Sequence, residues 1–159
     1  MPDLPELRLR ELASDLDEAF VLRLAPLFAD FELPAWRQRQ TCVRGVRSAL
    51  SERMEQAGHE ACLLIAENLQ GVTIGFLSLS LTRDYFSGQR QAHLNELAVA
   101  PEHQRQGFGR ALLREAERWA SHRRCRALSL NVFPGNEAAR RLYAGAGYQV
   151  DMLRLARPL

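Results

Sequence analysis

Residues 94–120, LNELAVAPEHQRQGFGRALLREAERWA, decide the fold of this chain. The apolar run that ends at Val99 indicates a β-strand, and Pro101 ends that strand because proline cannot donate to a sheet ladder. After a turn with two glycines, apolar side chains recur at helical spacing, with arginines on the opposite side. The stretch therefore predicts a strand, a glycine turn and a helix that runs to about Ser121.

The glycine turn has the properties of an anion site. The first turn of a helix leaves about four backbone N–H groups unpaired, and the helix dipole makes that end partly positive. Gly107 and Gly109 allow a ligand to approach the backbone, and Arg105 and Arg110 add positive charge beside it. We therefore predict that this turn binds a pyrophosphate.

The spacing around the turn distinguishes between phosphate ligands. A P-loop needs Gly-Lys-Ser/Thr, which is absent, and Leu112 stands where the dinucleotide fingerprint needs a third glycine or alanine. The observed spacing, Gln104-x-x-Gly107-x-Gly109 after a strand, resembles the acetyl-CoA site of the GNAT acyltransferase superfamily; the alternative is an ordinary glycine-rich connection. The resemblance implies cofactor contacts from Leu97, Ala98, Val99, Gln104, Arg105, Gln106, Gly107, Phe108, Gly109 and Arg110.

A second motif further along the chain strengthens this resemblance. The GNAT pattern of an asparagine, an alanine three residues later, a tyrosine four after that and a glycine-aromatic pair is matched by Asn136, Ala139, Tyr143, Gly147 and Tyr148. By resemblance, Asn136 binds the pantetheine arm of acetyl-CoA, Ala139 lines its site and Tyr143 lies near the thioester sulfur. Arg140 would meet the adenosine phosphates. Taken alone, Asn136 is also a good helix cap and Tyr143 an ordinary core tyrosine.

Two residues are candidates for the chemistry of acyl transfer. A tyrosine hydroxyl can protonate the leaving thiolate, so Tyr143 is the predicted general acid. Glu96, one residue before Leu97, either deprotonates the acceptor amine or orients it, and the sequence leaves both roles open. Simple strand alternation places His93 on the opposite face, where it would be a packing or surface residue. No Cys-His pairing indicates a covalent acyl-enzyme, so we expect direct transfer.

The remaining periodicities predict an α/β (α+β) fold with the order β-α-α-β-β-β-α-β-α-β. We expect the GNAT fold, a mixed twisted sheet of six to seven strands flanked by four helices, as one domain over residues 1–159. The predicted strands are 7–12, 61–67, 72–81, 91–99, 126–133 and 148–155, with a possible bulge at Gly75. The predicted helices are 15–28, from about 37 to 57, from the glycine turn to 121, and 137–144.

Composition narrows the class of protein further. No run of eighteen apolar residues exists and no secretory signal is visible, so we expect a cytoplasmic protein that does not enter a membrane. The net charge of +2 gives no reason to expect a nucleic-acid partner. Cys42, Cys62 and Cys125 show no metal-ligand spacing, so no metal is expected, and they fit a reducing compartment as small buried hydrophobes.

The predicted function is acetyl transfer from acetyl-CoA to a primary amine of a small molecule or peptide. The alternative is a non-catalytic acetyl-CoA-binding sensor or interaction module. Four acids, Asp30, Glu32, Asp84 and Glu96, could together attract a cationic acceptor. The segment 31–36, the second helix and the segment 82–90 would set its specificity. Few residues follow Gly147, so the C-terminal sheet edge would be open, and this predicts a possible homodimer through that edge.

Overall fold

The protein folds around one mixed sheet; the computed structural model describes residues 3–56, 58 and 60–159. The sheet has five strands in the order β1-β2-β3-β4-β5. The strands are β1 (Leu7–Glu11), β2 (Ala61–Asn68), β3 (Thr73–Arg83), β4 (Arg90–Val99) and β5 (Leu128–Leu130). The helices are α1 (Asp15–Arg23), α2 (Arg39–Glu55), α3 (Phe108–His122) and α4 (Glu137–Gly145), with 3-10 turns at Ala25–Ala29 and Pro101–His103.

The first four strands form an antiparallel meander, and β5 joins its edge in parallel. The strand β5 pairs with β4 at only three positions, from Ala92–Leu128 to Leu94–Leu130. Beyond Leu94, the strand β4 continues to Val99 and pairs on that side with no other part of the chain that the structure describes. The sheet is therefore open between β4 and the chain that follows β5.

Each face of the sheet is covered by helices, as the alternating strands predict. One core layer packs α3 through Leu112 and Ala116 against Leu77 and Leu79 of β3. The other packs α1 and α2, including Leu50, against the opposite face. The predicted apolar stripe of α3 is buried, because a stripe that repeats over four turns leaves one way to bury it.

The predicted sixth strand is wrong. Residues 148–155 form no strand, and Val150, Met152, Leu153 and Leu155 are exposed. Two physical reasons are visible: β5 is a three-residue edge, too short to template a partner, and the apolar alternation at Tyr148, Val150 and Met152 breaks where Leu153 follows Met152 directly. The sheet thus has five strands, not six to seven, while the four helices agree with the prediction.

Smaller differences occur where proline and glycine bend the chain. Helix α1 ends at Arg23, and Pro26 begins a 3-10 turn instead of kinking a longer helix, because proline fits the first helical positions best. A bulge lies beside Gly75, where Ala66 pairs with Gly75 and Glu67 pairs with Thr73. A side chain at Gly75 would collide with the Ala98 carbonyl, so only glycine lets β3 and β4 approach here.

A buried ion-pair network joins the start of the sheet to α1. The guanidinium of Arg10 on β1 lies 2.7 Å from Asp17 and 2.5 Å from Glu67, and both carboxylates are buried. Arg8 reaches Glu67 at 3.4 Å from a largely exposed position. Hydrogen bonds from Arg10 lower the pKa of Asp17 and of Glu67 against the opposing effect of burial. Both acids are therefore held as carboxylates, and Arg10 is their shared cation.

Candidate active site

The opening between β4 and β5 is a cavity of about 300 Å³. It runs along the unpaired half of β4 to the start of α4, with α2 and the Ala25–Ala29 turn on its other side. Its wall contains the following residues: Leu27, Phe28, Phe31, Val46, Leu94, Asn95, Glu96, Leu97, Ala98, Val99, Gln104, Asn131, Val132, Phe133, Asn136, Ala139 and Tyr143. The cavity therefore brings together residues from both sequence motifs.

A β-bulge in β4 decides which side chains face the cavity. Leu94 pairs with Leu79 and Glu96 pairs with Ser78, so Asn95 is the extra residue between them. Because Ser78 and Ser80 share one face of β3, their partners Glu96 and His93 share one face of β4, toward α2. The prediction that His93 and Glu96 lie on opposite faces is therefore wrong.

Glu96 is half-buried in the cavity wall and forms an ion pair with Arg53 of α2. The Arg53 Nε atom donates to Oε1 at 3.2 Å and lies 3.0 Å from Oε2. Oε2 is buried and accepts no hydrogen bond from the residues that the structure describes. Burial raises the pKa of Glu96 above its usual value, and Arg53 opposes that rise. Both oxygens of Glu96 therefore face Arg53, and Oε2 is enclosed by the protein.

The turn from Gln104 to Gly109 has the backbone of an anion-binding nest. Arg105 has φ of 64° and Gly107, the N-cap of α3, has φ of 88°, so two left-handed residues flank Gln106 directly before the free N–H groups of the helix. The Gln104 side chain donates to the Val99 carbonyl at 3.0 Å and ties the turn to β4. A non-glycine residue in the left-handed region costs free energy, which makes Arg105 notable in a turn predicted to bind phosphate.

The other residues predicted for this turn take different positions. Gln106 and Gly109 border the nest, while the Phe108 side chain is buried in the core and only its backbone is available to a ligand. Arg110 donates to the Gly145 carbonyl at 3.2 Å and so braces α4. Arg140, on α4, donates to the Pro134 carbonyl at 3.1 Å. Arg105 is therefore the predicted phosphate-binding arginine with the most freely exposed side chain.

Gly107 gives a direct test of the nest. We expect Gly107→Ala to weaken CoA binding about tenfold or more, because alanine is strained at φ of 88° and its Cβ would lie 3.0 Å from Pro5. Isothermal titration with CoA measures this. The matched control is Gly88→Ala, which places alanine at φ of 68° in the β3–β4 loop with open space around it. Equal loss of CoA affinity in both variants would contradict the nest.

Asn136 and Tyr143 project from α4 toward the cavity. The Asn136 side chain caps α4 by accepting from the Ala139 N–H at 3.2 Å, and Asn136 also lines the cavity. Burial raises the pKa of Tyr143 above its usual value of about 10, so its hydroxyl stays protonated at neutral pH. Its ring lies 5.8 Å from the ring of Tyr148. A protonated hydroxyl in this wall is a suitable acid.

Aromatic side chains form the outer wall of the cavity. The rings of Phe31 and Phe133 lie 5.8 Å apart, and the Arg37 guanidinium lies 4.2 Å from the Trp36 ring and 5.4 Å from that of Phe133. Any side chain at Gly135 would collide with the Glu32 carbonyl. The segment before α2 is therefore packed directly against the β5–α4 connection.

The four acids that could attract a cationic acceptor are not brought together. Asp30 pairs with Arg39 at 2.5 Å, and Asp84 accepts hydrogen bonds from Ser87 at the tip of the β3–β4 hairpin. Of the four, Glu96 alone is in the cavity wall. This hairpin tip also lies at the end of β4 remote from the nest, so Tyr85 and Phe86 are exposed and do not line the cavity.

Sequence reasoning missed two features of the site, the bulge and Arg53. The bulge did leave a signal, because apolar residues fall at Ala92 and Leu94 and then at Leu97, three residues on. A spacing of three inside a strand indicates an extra residue. Nothing in the sequence pairs Arg53 with Glu96, since the two lie 43 residues apart and only the packing of α2 joins them.

The described residues contain neither a metal-binding cluster nor a membrane-spanning helix. In residues 3–56, 58 and 60–159, no three His, Cys, Asp or Glu side chains are grouped so that they could hold a metal ion. No helix within those ranges is both long and apolar enough to span a bilayer. The three cysteines form no disulfide. They are half-buried, whereas the sequence predicted them to be buried.

Comparison with known proteins agrees with this geometry. Residues 26–148 match the model of the acetyltransferase (GNAT) family. An uncharacterized N-acetyltransferase of Bacillus subtilis, YhfO, is 34% identical over 80% of this chain and 83% of its own. A putative acetyl transferase from Pyrococcus furiosus has a similar structure, with a TM-score of 0.72, 20% identity and coverage of 97% and 100% of the two chains.

A third similar protein has been solved with CoA. It is the aminoglycoside N-acetyltransferase AAC(6')-Iy, with a TM-score of 0.67, 19% identity and coverage of 99% of this chain and 98% of its own. At such identity the likeness shows the fold, whereas the family is shown by the match over residues 26–148. The strand, glycine turn and helix, the parted strands β4 and β5 and this match agree, and the chain belongs to the GNAT family of N-acetyltransferases.

Proposed function

We propose that this enzyme transfers an acetyl group directly from acetyl-CoA to a primary amine of a small molecule or peptide. The observation that carries this proposal is the continuous cavity between β4 and β5. It begins beside the anion nest, passes Asn136 and Tyr143, and reaches the carboxylate of Glu96. A nucleotide at one end, a thioester in the middle and an amine at the other end would each meet suitable groups.

In this proposal the nest, Arg105 and the first turn of α3 bind the pyrophosphate. The free backbone edge of β4 at Leu97 and Val99 pairs with the pantetheine amides, and Asn136 adds a side-chain hydrogen bond. The Leu97 N–H stabilises the oxyanion of the tetrahedral intermediate, because a fixed donor in a partly dry site stabilises developing charge. Tyr143 donates its proton to the departing thiolate.

Glu96 is the residue that distinguishes the acceptor end of the cavity. Its carboxylate, which Arg53 holds at the cavity wall, is placed to attract the ammonium of the acceptor. The rings of Phe28, Phe31 and Phe133 also line the cavity, so an acceptor with a ring-shaped body fits best. Aminoglycosides belong in the test set because a CoA-bound structure of similar fold is an aminoglycoside N-acetyltransferase.

The experiment is CoA thiol release from acetyl-CoA with kanamycin, spermidine, tyramine and the peptide Ala-Ala-Ala, each offered separately. We expect release above the amine-free rate with at least one of them, and a product heavier by one acetyl group. Tyr85→Phe is a control variant that should keep the wild-type rate of CoA release, since Tyr85 is exposed and outside the cavity. Tight acetyl-CoA binding without release across the panel would instead favour a sensor or binding module.

We further propose that the enzyme is a cytoplasmic homodimer whose copies meet at the β5 edge. Three unpaired cysteines fit a reducing compartment. The exposed Val150, Met152, Leu153 and Leu155 follow α4, and an apolar segment beside an open edge is usually covered. Sedimentation at micromolar concentration should show a dimer, and the variant ending at Gly147 should be monomeric. A monomeric full chain would contradict this proposal.

A further inference from the structure

His93 lies beside the acceptor end of the cavity and has no role in the mechanism so far. The bulge at Asn95 turns it to the same face of β4 as Glu96. Its ring is half-buried just behind the cavity wall, and its neighbour Asn131 is part of that wall. The Asn131 side chain, 3.5 Å from Nε2, therefore lies between the ring and the cavity.

The hydrogen bonds around the ring assign its two nitrogens. The Asn131 Nδ2 amide lies 3.5 Å from Nε2, so Nε2 carries the lone pair that faces this donor. Nδ1 lies 2.8 Å from Ser129 Oγ, whose hydroxyl reaches the Ala92 carbonyl at 3.3 Å and so leaves its oxygen to accept from Nδ1–H. Gln91 also donates to that oxygen, at 3.0 Å. These hydrogen bonds place the proton on Nδ1 and leave Nε2, the basic nitrogen, on the side of Asn131 and the cavity.

The charges around His93 keep its ring neutral. The charge that acts on the ring is that of Arg53 from α2, and Glu96 lies on the same face of β4 as His93. Strand β3 contributes Ser80 opposite His93, and β5 contributes Ser129, both uncharged. Burial, and next the charge of Arg53, lowers the pKa of His93 below its usual value of about 6.5. The ring is therefore unprotonated at neutral pH, as a base must be.

Glu96 is less free to act as a base than its position in the cavity suggests. Arg53 lies 3.0 and 3.2 Å from its two oxygens and stabilises the carboxylate form. Burial nevertheless raises the pKa of Glu96, so geometry is what limits Glu96 as a base: Arg53 occupies both oxygens. The two roles that the sequence left open for Glu96 are therefore divided between two residues.

We propose that His93 is the general base of the acetyl transfer and that Glu96, held by Arg53, binds the acceptor ammonium. This rests on the proposed function. The ammonium N–H bond breaks and its proton passes through one water to His93 Nε2. The amine lone pair then attacks the thioester carbonyl, and the C–S bond breaks as the thiolate takes the Tyr143 proton. Tyr143 regains a proton from the amide nitrogen, and His93 releases its own to solvent.

The first test needs no acceptor. In protein labelled with ¹⁵N-histidine, two-bond ¹H–¹⁵N spectra report the tautomer and pKa of each ring, and the His93→Gln variant identifies the His93 signal. We expect the Nδ1–H tautomer with a pKa below about 6.5. The opposite tautomer, or a ring protonated at pH 7, would overturn the proposal even if the enzyme is active.

The second test is the pH dependence of kcat/KM with whichever of kanamycin, spermidine, tyramine or Ala-Ala-Ala reacts fastest. In the wild type kcat/KM should fall as the pH drops through the pKa of His93, because the protonated ring cannot accept a proton. His93→Gln should lose this acidic limb of the pH profile. Its kcat/KM at pH 7.5 should be about tenfold lower than that of the wild type, while it binds CoA normally. His122→Gln, the same change at an exposed helix end, should keep the wild-type profile.

Glu96→Gln separates the two residues. It should raise KM for the amine and keep the acidic limb, since the base remains. A limb that disappears in Glu96→Gln but persists in His93→Gln would assign the base to Glu96 and overturn the proposal. If no amine of the panel yields CoA, the proposed function fails and the catalytic role of His93 fails with it, whatever tautomer the NMR spectra report.

Discussion

Tyr143→Phe should lower kcat by about 10²-fold or more, because the variant keeps the ring and loses the proton donor for the thiolate. The half-buried ring packs near Tyr148, 5.8 Å away, and that packing survives the change. Affinity for CoA should therefore stay close to that of the wild type. Steady-state kinetics with the most reactive panel amine, together with titration of CoA, measure the two quantities separately.

The loss of kcat in Tyr143→Phe should arise from the missing proton donor for the thiolate and not from a less stable protein. Tyr85→Phe makes the same chemical change at an exposed position on the hairpin tip and should leave kcat unchanged. The thermal midpoint of Tyr143→Phe should match the wild type closely. A Tyr143→Phe enzyme with wild-type turnover would remove Tyr143 from the acid role and leave it as a wall of the pantetheine site.

Arg10→Ala should have the largest effect on stability, about 3 kcal/mol in the free energy of unfolding. It removes the shared cation and leaves Asp17 and Glu67 as two buried carboxylates. Removing one partner of a buried ion pair costs about 3–5 kcal/mol, and we expect the low end because 30% of the Arg10 side chain remains exposed. Urea unfolding followed by circular dichroism at pH 7 measures this difference.

The matched control is Arg8→Ala on the same strand. Arg8 reaches Glu67 only at 3.4 Å and its side chain is 75% exposed, so its loss should cost less than about 1 kcal/mol. Equal destabilisation by the two variants would show that strand propensity, and not the network, carries the effect.

The network also predicts how stability depends on pH. Arg10 lowers the pKa of Asp17 and Glu67 in the folded state below the unfolded values of about 3.9 and 4.3. Their contribution is present above pH 4.3 and is lost as the pH falls through the lower folded-state pKa values. Unfolding free energy between pH 5 and 3 should therefore fall more steeply for the wild type than for Arg10→Ala.

Local periodicity predicted the elements that bury a long, regular face. Helix α3 could be predicted because Phe108, Leu112 and Ala116 repeat the same apolar stripe with each additional turn. The turn before it could be predicted from its two glycines. The C-terminal strand failed for the converse reason. A strand exists only through its partner, and no pattern within residues 148–155 reports that β5 stops after three residues.

The site shows the same division between local and distant information. Residues that contact the cavity through a motif, such as Asn136 and Tyr143, were predicted because the motif fixes their spacing. Arg53 was not, because its role arises when α2 packs over β4. His93 was assigned to the wrong face because alternation was counted through Asn95 as if the strand were regular.

Asn95 is a residue that the fold itself does not need. Without it, Leu94 and Glu96 would be neighbours in a regular ladder, and every core side chain of β4 would keep its present face. What would be lost is the bend that a bulge imposes on its strand, and with it the divergence of β4 from β5. A chain shortened by this one residue should therefore fold normally and have no room for the pantetheine arm, which makes Asn95 a deletion site that separates folding from catalysis.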